Sequence, residues 1–345
     1  MKRALLCSAF AALLTGCGLC PSPPSAATGT AARYPITDVA SAPATPVRNQ
    51  AKSGTCWAFG GVSLIESEAI RTRRCTPDLS EMWVVRHAYF EKAVKYVRTR
   101  GRVAFDQGGE IQDVLWLVDR YGIVPQSLYE GGAADGTYDH ASLAKAIRRL
   151  AKRIVDKKLY EKEHWQRMID EELDRRLGAR PDRFVIDGVA YTPFSYADSI
   201  GFRRDDYVAL TSFTHHPFFE RFVLEIPDNW AAHATLNIPL DSLMRLLDSA
   251  LAAGYTAAWD ADVSERGFGR RAGIALLPQQ EGRITLPAPE IVVDQPLRQR
   301  MFDTQATTDD HVMHIVGTAV DSLGNSYYKV KNSWGDTGAY HGYLY

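Results

Sequence analysis

The sequence predicts an α+β fold in which helices come first and an antiparallel sheet follows. In the first half of the chain, apolar residues recur at helical spacing. The second half carries several short stretches rich in β-branched and aromatic residues, which are typical of strands. Gly324-Asn325 is a turn signal between two of these stretches and predicts a hairpin. Helices followed by strands form two lobes that can meet at a cleft.

The predicted helices follow from apolar stripes. One helix opens at Cys56, directly after the loop 53–55, a second covers 110–121, and a third covers 240–253. The charged region at about 141–180 carries two further amphipathic stripes and predicts two surface helices. The predicted strands are 255–263, 311–320, 327–331 and 342–345.

Composition and charge narrow the classes of function. The 345 residues are 46% hydrophobic, which is enough for a buried core and excludes disorder and collagen. The formal net charge is -1, so no global charge draws the chain to nucleic acid or to an anionic membrane. The five cysteines are too few for a disulfide framework and lack the paired spacing of structural zinc. We expect no nucleic-acid partner, no metal and no cofactor.

The amino terminus has the pattern of an export signal. Lys2 and Arg3 precede the apolar run 4–14, which is too short to span a bilayer as a permanent helix. The next residues, Leu14-Thr15-Gly16-Cys17, resemble a bacterial lipobox. That resemblance implies cleavage before Cys17 and a lipid on its sulfur. An ordinary secretory signal is the alternative.

These patterns divide the chain into three parts. We expect a signal peptide at 1–16, a lipid-anchored spacer rich in proline and alanine at 17–39, and one folded domain at 40–345. The predicted location is the bacterial cell envelope, with the membrane as a partner through the N-terminal lipid. The oligomeric state is not predicted.

Cys56 is the strongest single indication of chemistry. A cysteine in the first turn of a buried helix feels the positive end of the helix dipole, which favours the thiolate. A thiolate attacks acyl carbon well, but it needs an imidazole to protonate the leaving amine, and the imidazole needs an orienting partner. His311 opens one predicted strand and Asn332 ends the next, so a hairpin sets them side by side. Each residue alone is weak, because a single buried cysteine is usually inert packing.

Together these residues resemble the papain-like cysteine peptidases. The segment 50–59 (QAKSGTCWAF) is similar to the family's nucleophile segment, 310–317 (DHVMHIVG) to its histidine strand, and 332–335 (NSWG) to its asparagine turn. The Ser-Gly-x-Cys-Trp pattern at 53–57 is most like the bleomycin hydrolase and aminopeptidase C branch. The resemblance implies a two-lobed fold, with the nucleophile helix in a helical lobe and the histidine and asparagine in an antiparallel β lobe.

The resemblance also implies a role for each matching residue. Cys56 would be the nucleophile, His311 the base, and Asn332 the partner that orients the imidazole. The side-chain amide of Gln50 and the backbone N–H of Cys56 would form the oxyanion hole, and Trp334 would cover the hydrogen bond between Asn332 and His311. The glycines of Gln107-Gly108-Gly109 would pair with an extended substrate through their backbone. His314, three residues after His311, faces the other side of a regular strand.

The sequence departs from the family pattern at several points. Ser53 and Asp106 stand where the family often has a disulfide between two loops of the cleft. His311 follows Cys56 by 255 residues, against about 130–150 in compact relatives. Roughly 100 residues are therefore inserted, with the helices at about 141–180 among them. The branch's exopeptidases place a C-terminal tail in the cleft, whereas this sequence stops soon after the asparagine turn, which would favour endopeptidase activity.

We therefore predict a cysteine peptidase that acts on peptides or proteins through an acyl-thioester at Cys56. Endopeptidase and aminopeptidase activity both remain open. Two alternatives are a catalytically idle binding or scaffold lipoprotein on the same fold and an acyltransferase that uses the same cysteine and histidine. His215-His216 suggests a metal, but the sequence offers no suitably spaced third ligand. Cys20 and Cys75 either pair in an oxidising compartment or stay free.

Overall fold

The computed structural model describes residues 34–132, 137–279 and 289–345. The predicted signal peptide and the predicted lipid site at Cys17 lie outside these residues. The first described strand begins at Ile36 and joins the main sheet, so the folded domain starts before the predicted boundary at residue 40. Among the described residues, no helix combines the length and the apolar character needed to cross a bilayer.

Helices dominate the first half of the described chain, as the sequence predicts. The helices are α1 (Cys56–Arg73), α2 (Glu81–Arg98), α3 (Ile111–Tyr121), α4 (Ala141–Asp156), α5 (Lys162–Leu177), α6 (Pro193–Ser199), α7 (Leu240–Ala252) and α8 (Gln295–Asp303). Helix α2 is not predicted from the sequence. It is buried on most of its surface, so no polar face alternates with an apolar stripe.

The charged region folds as predicted into two helices with one buried face each. Apolar side chains such as Ile147 of α4 and Ile169 of α5 are fully buried, and both helices pack on α2. Arg86 of α2 is fully buried and donates hydrogen bonds to Asp170 and Asp174 of α5 at 2.8 and 2.6 Å. The insertion therefore extends the core of the helical lobe.

The strands are short except in the main sheet. They are β1 (Ile36–Ser41), β2 (Phe184–Ile186), β3 (Val189–Tyr191), β4 (Leu210–Thr211), β5 (Arg221–Val223), β6 (Ala234–Asn237), β7 (Ala257–Ala261), β8 (Phe268–Gly269), β9 (Ile274–Ala275), β10 (His311–Asp321), β11 (Ser326–Lys331) and β12 (Tyr343–Leu344). The main sheet contains β1, β7, β10, β11 and β12, and every pairing in it is antiparallel. The predicted hairpin is present as β10 and β11.

Close packing between α1 and β10 joins the two lobes. Gly60 of α1 approaches Val312 so closely that an added Cβ would lie 2.7 Å from a methyl carbon of that valine. Gly61 packs in the same way on Val114 of α3. Only residues without a side chain allow these approaches. The contact between Gly60 and Val312 holds the start of α1, with Cys56, beside the start of β10, with His311.

Candidate active site

Cys56 is the first residue of α1 and lies half-buried in the cleft. Its sulfur accepts hydrogen bonds from the backbone of Val312 and Trp57, both of which lower the pKa of the thiol. Val312 follows His311 directly in β10. The sulfur therefore contacts the residue that directly follows the predicted base, His311.

Burial outweighs those hydrogen bonds and raises the pKa of the Cys56 thiol to about 11. The carboxylates of Asp260 and Asp228 raise it further, because a nearby negative charge disfavours a thiolate. Burial and these carboxylates therefore oppose the thiolate that the helix dipole favours.

His311 is held in one orientation from two sides. Its Nε2 lies 2.8 Å from Asn332 Oδ1, which also accepts the backbone N–H of Ser333 at 2.7 Å. Because that oxygen is an acceptor, Nε2 carries the hydrogen and Nδ1 keeps its lone pair. The Trp334 ring stacks on the imidazole at a centroid distance of 4.6 Å, and the Arg270 guanidinium lies 4.2 Å from the centroid of Trp334. Burial lowers the pKa of His311, so the resting imidazole is neutral.

Gln50 is fixed by hydrogen bonds from both lobes. Its Nε2 donates to the Ser53 carbonyl at 2.8 Å, and its Oε1 accepts from Ser333 Oγ at 2.6 Å. The backbone N–H of Gln50 donates to the Ser333 carbonyl at 2.8 Å. One N–H of the Gln50 amide remains for another acceptor, as the predicted oxyanion hole requires.

Gln107 links the two loops that lack the family disulfide. Its side-chain oxygen accepts the backbone N–H of Gly54 at 2.8 Å, and its carbonyl accepts the indole N–H of Trp57 at 3.0 Å. These two hydrogen bonds join the nucleophile segment to the glycine loop near Ser53 and Asp106, where the sequence has no cysteine pair.

The two glycines of that loop have different surroundings. The carbonyl of Gly108 accepts from Lys92 Nζ, and an added Cβ on Gly108 would lie 2.0 Å from an oxygen of Asp228. An added Cβ on Gly109 would lie 3.0 Å from the Trp57 ring. Within the described residues, the backbone N–H and C=O of Gly109 make no hydrogen bond. The Gly109 backbone is therefore open to pairing with a substrate, whereas the Gly108 carbonyl is already engaged by Lys92.

His314 lies on the opposite side of β10 from the cleft. Its Nδ1 is 2.9 Å from Ser63 Oγ, and Lys331 Nζ donates to the same hydroxyl at 2.8 Å. Burial lowers the pKa of His314 to about 3. This histidine belongs to a buried polar network between the lobes.

The structure brings a third polar group to His215 and His216. Glu225 lies 3.1 Å from Nε2 of His215 and 2.7 Å from Nε2 of His216, so the expectation that no third ligand is suitably placed is wrong. Gln299 argues against a metal there. Its amide oxygen accepts the Thr214 N–H, and its nitrogen lies 3.0 Å from His215 Nδ1. His215 therefore carries its hydrogen on Nε2, the atom that would have to bind the ion.

Of the two cysteines that are expected either to pair or to stay free, the structure describes Cys75. Cys75 is a free, half-buried thiol whose sulfur lies 4.0 Å from the Ala69 carbonyl. Cys20 lies outside the described residues, so the choice between a pair and two free thiols stays open.

Sequence reasoning missed a group of carboxylates beside Cys56. Glu110, Asp260 and Asp309 each place an oxygen within 4.8 Å of the other two. They come from three separate parts of the chain and share no spacing that a pattern search detects. The one local signal is that Glu110 directly follows the predicted substrate-binding glycines.

The family comparisons agree with this geometry. The model of the papain family of cysteine proteases matches residues 35–167, and that of the peptidase C1-like family matches residues 186–345. The two matches follow one another along the chain without overlap, and they contain the cysteine and the histidine respectively. This chain belongs to the papain-like cysteine peptidase superfamily.

Individual relatives place the chain near the aminopeptidase C branch of that superfamily. Aminopeptidase C of Lactococcus lactis subsp. cremoris is 24% identical over 340 residues, which cover 87% of this chain and 76% of the relative. Aminopeptidase G of Lactobacillus delbrueckii subsp. lactis is 25% identical over 349 residues, covering 88% and 77%. The solved structure of PepW from Lactobacillus rhamnosis HN001 has a TM-score of 0.67 at 19% identity and covers 89% of this chain and 78% of its own.

These findings confirm the predicted papain-like α+β fold and the enzyme class. The protein is a cysteine-type peptidase, so peptides or proteins are its substrates.

Proposed function

We propose that this peptidase cleaves peptide bonds through an acyl-thioester on Cys56, with His311 as general base and then general acid. One observation supports this most directly. The hydrogen bond from His311 to Asn332 leaves Nδ1 as the acceptor, and the Cys56 sulfur lies at the backbone of the next residue, Val312. A nucleophile, a base and an orienting group are thus gathered at one place.

The first half of the reaction starts from neutral partners. The Cys56 proton moves to His311 Nδ1 as the sulfur attacks the carbonyl carbon, so charge develops only in the transition state. The carbonyl oxygen becomes an oxyanion, which the free N–H of Gln50 and the backbone N–H of Cys56 stabilise. Collapse of this intermediate breaks the C–N bond, and the leaving amine takes the proton from His311.

The second half releases the acyl group. His311 takes a proton from water, the hydroxide adds to the thioester carbon, and the same two N–H groups stabilise the new oxyanion. The C–S bond then breaks, and the sulfur recovers its proton from the imidazolium. The products are an amine and a carboxylic acid, and the Cys56 thiol is restored.

The test compares two cysteines of the same chain. Cys56→Ala should abolish hydrolysis of a peptide substrate and labelling by an epoxide or fluoromethylketone probe. Cys75→Ala, which changes another half-buried free thiol, should retain both. Loss of both in Cys75→Ala with retention in Cys56→Ala would show that the nucleophile is misassigned. A folded wild-type chain that labels but hydrolyses no peptide would favour the idle scaffold.

The position of cleavage needs an experiment of its own. Two relatives carry the name aminopeptidase, which favours release of amino-terminal residues. Sequencing the products of a mixed peptide library with free and acetylated amino termini distinguishes this from internal cleavage. Transfer products that outweigh hydrolysis when free amines are added would instead indicate an acyltransferase.

We also propose that the protein is a lipoprotein of the cell envelope, from the signal pattern at 1–16 and Cys17. Metabolic labelling with a palmitate analogue, followed by membrane fractionation, tests this. Cys17→Ser should lose the label and move the protein to the soluble fraction. An unchanged label would place the lipid elsewhere.

A further inference from the structure

Three carboxylates from three elements of the fold meet beside the Cys56 sulfur. Glu110 precedes α3, Asp260 lies in β7, and Asp309 lies two residues before His311. One oxygen of each lies within 4.8 Å of the others. We call these three residues the carboxylate cluster.

The carboxylate cluster lies where a peptide must pass. Asp260 is the register partner of Val312, whose backbone contacts the sulfur. Glu110 follows Gly109, the residue whose backbone is open to a substrate. A peptide that pairs with Gly109 and presents its carbonyl to Cys56 therefore runs alongside the cluster.

The Glu110 side chain accepts the backbone N–H of Asp113 in a capping box at the start of α3, but one of its oxygens has no partner in the described part of the chain. The residue is only 8% exposed, and its buried Oε1 has no hydrogen-bond partner among the described residues. The ion pairs of the described chain include none of the three carboxylates. Buried carboxylates are normally paired, since burying an unpaired charge is costly. A cation that enters this position would supply the missing interaction.

The neighbouring charges reinforce this need. Asp228 lies near the cluster and raises the pKa of all three of its carboxyl groups. Lys92 directs its Nζ to the carbonyls of Asp106 and Gly108. It is thus already engaged away from the cluster.

We propose that the carboxylate cluster binds a cationic group of the peptide substrate, an ammonium or a guanidinium. This inference rests on the proposed function, because the cation arrives with the peptide. Two sources share this chemistry, the substrate's amino terminus and a lysine or arginine side chain next to the scissile bond. A bound divalent ion is disfavoured, because it would occupy the path of the peptide during every turnover.

The first experiment measures kcat/KM for matched peptides that carry lysine or norleucine at one position, with a free or an acetylated amino terminus. The wild-type enzyme should prefer the peptide with the cation by about tenfold or more. If acetylation of the amino terminus lowers kcat/KM by about tenfold, the amino terminus is the ligand. If replacement of lysine by norleucine lowers kcat/KM by about tenfold, the side chain is the ligand.

The second experiment measures the same ratio in variants. At about pH 8, where both groups are ionised, Asp260→Asn and Asp309→Asn keep size and remove charge, and each should lower the preference for the cationic peptide by about tenfold. The matched control is Asp119→Asn, an exposed carboxylate at the other end of α3. It should leave the ratio and the activity unchanged. Calorimetric binding of the same uncleaved peptides to Cys56→Ala gives the preference without turnover.

The outcomes separate the two proposals. Equal kcat/KM and equal binding for cationic and neutral peptides would overturn the cation site while leaving the peptidase intact. High-affinity binding of Ca²⁺ by dialysed protein, lost in Glu110→Gln and with no peptide preference, would overturn it as well. Failure of the folded chain to hydrolyse any peptide would overturn the catalytic proposal, and the calorimetric comparison would then decide the cation site alone.

Discussion

Gln50 and Ser333 join the two walls of the cleft through a pair of hydrogen bonds. The Ser333 hydroxyl donates to the Gln50 amide oxygen at 2.6 Å, and the Gln50 backbone N–H donates to the Ser333 carbonyl at 2.8 Å. Ser333 also follows Asn332, whose oxygen orients His311. The proposed oxyanion donor and the proposed base are therefore positioned by neighbouring residues of one turn.

This link predicts that Ser333 acts as a positioning residue. Ser333→Ala removes the donor that orients the Gln50 amide, so kcat should fall by about tenfold while KM changes little. Gln50→Ala should lower kcat by about 10²–10³. The double variant should be no slower than Gln50→Ala, because the serine acts through the glutamine. Additive losses would contradict this assignment, and Ser326→Ala on the same lobe is the control.

The resting state of Cys56 predicts an unusual alkylation profile. Burial, Asp260 and Asp228 raise the pKa of the thiol, so its reaction with iodoacetamide should accelerate with rising pH well above neutrality. Asp228→Asn removes one negative charge, lowers the thiol pKa and should shift the curve to lower pH. A background that lacks the four other cysteines (Cys7, Cys17, Cys20 and Cys75) ensures that only Cys56 reports. A rate that is constant down to about pH 5 would reveal a preformed thiolate and imidazolium pair.

The preference for a cationic substrate should depend on pH. Burial and neighbouring carboxylates raise the pKa of Asp309 to about 6, of Asp260 to about 7 and of Glu110 to about 9. Protonated carboxyls do not attract a cation, so the preference should be small at about pH 5, grow as Asp309 and Asp260 ionise, and grow again as Glu110 ionises near pH 9. The further carboxylates that act on these groups are Asp113, Asp228 and Asp310.

The measurement is the ratio of kcat/KM for the lysine and norleucine peptides across this range. The ratio of the two kcat/KM values follows the ionisation of the carboxylate cluster alone, because effects of pH on Cys56 and His311 act on both substrates equally. A preference that decreases as the pH rises would contradict the expected sign.

The buried side chain of Arg86 should contribute to the stability of the helical lobe. Its side chain is fully buried, whereas the side chains of Asp170 and Asp174 are 25% and 35% exposed. Arg86→Ala leaves a cavity and an unpaired Asp174, while Asp170 keeps its ion pair with Arg180 at 3.4 Å, so the free energy of unfolding should fall by about 3 kcal/mol. Urea denaturation measures this. Arg149→Ala on the exposed face of α4 should change it by less than about 0.5 kcal/mol.

Local patterns predicted the parts of the site that are local in the chain. The helix at Cys56 and the hairpin that pairs His311 with Asn332 are confirmed, because each depends on periodicity or on a turn within a few residues. Helix α2 has no such pattern, because nearly every side of it faces the core. The position of Glu225 next to His215 likewise depends on the fold of that segment.

The electrostatics of the cleft could not be predicted in this way. The thiol pKa depends on Asp228 and Asp260, which lie far from Cys56 in the sequence and reach it only through tertiary structure. The dipole of α1 is a local effect that the sequence does predict, whereas burial, which opposes it, is a property of the whole fold.

Two hydrogen bonds hold the loops of the cleft together, one between the Gln107 side chain and Gly54 and one from the Trp57 indole to the Gln107 carbonyl. They do so where Ser53 and Asp106 replace the disulfide of the family. A thiol nucleophile is active only while it is reduced. Here dithiothreitol can regenerate an oxidised Cys56 without cutting any covalent tie between these loops, so the chemistry that restores the sulfur leaves the architecture around it untouched.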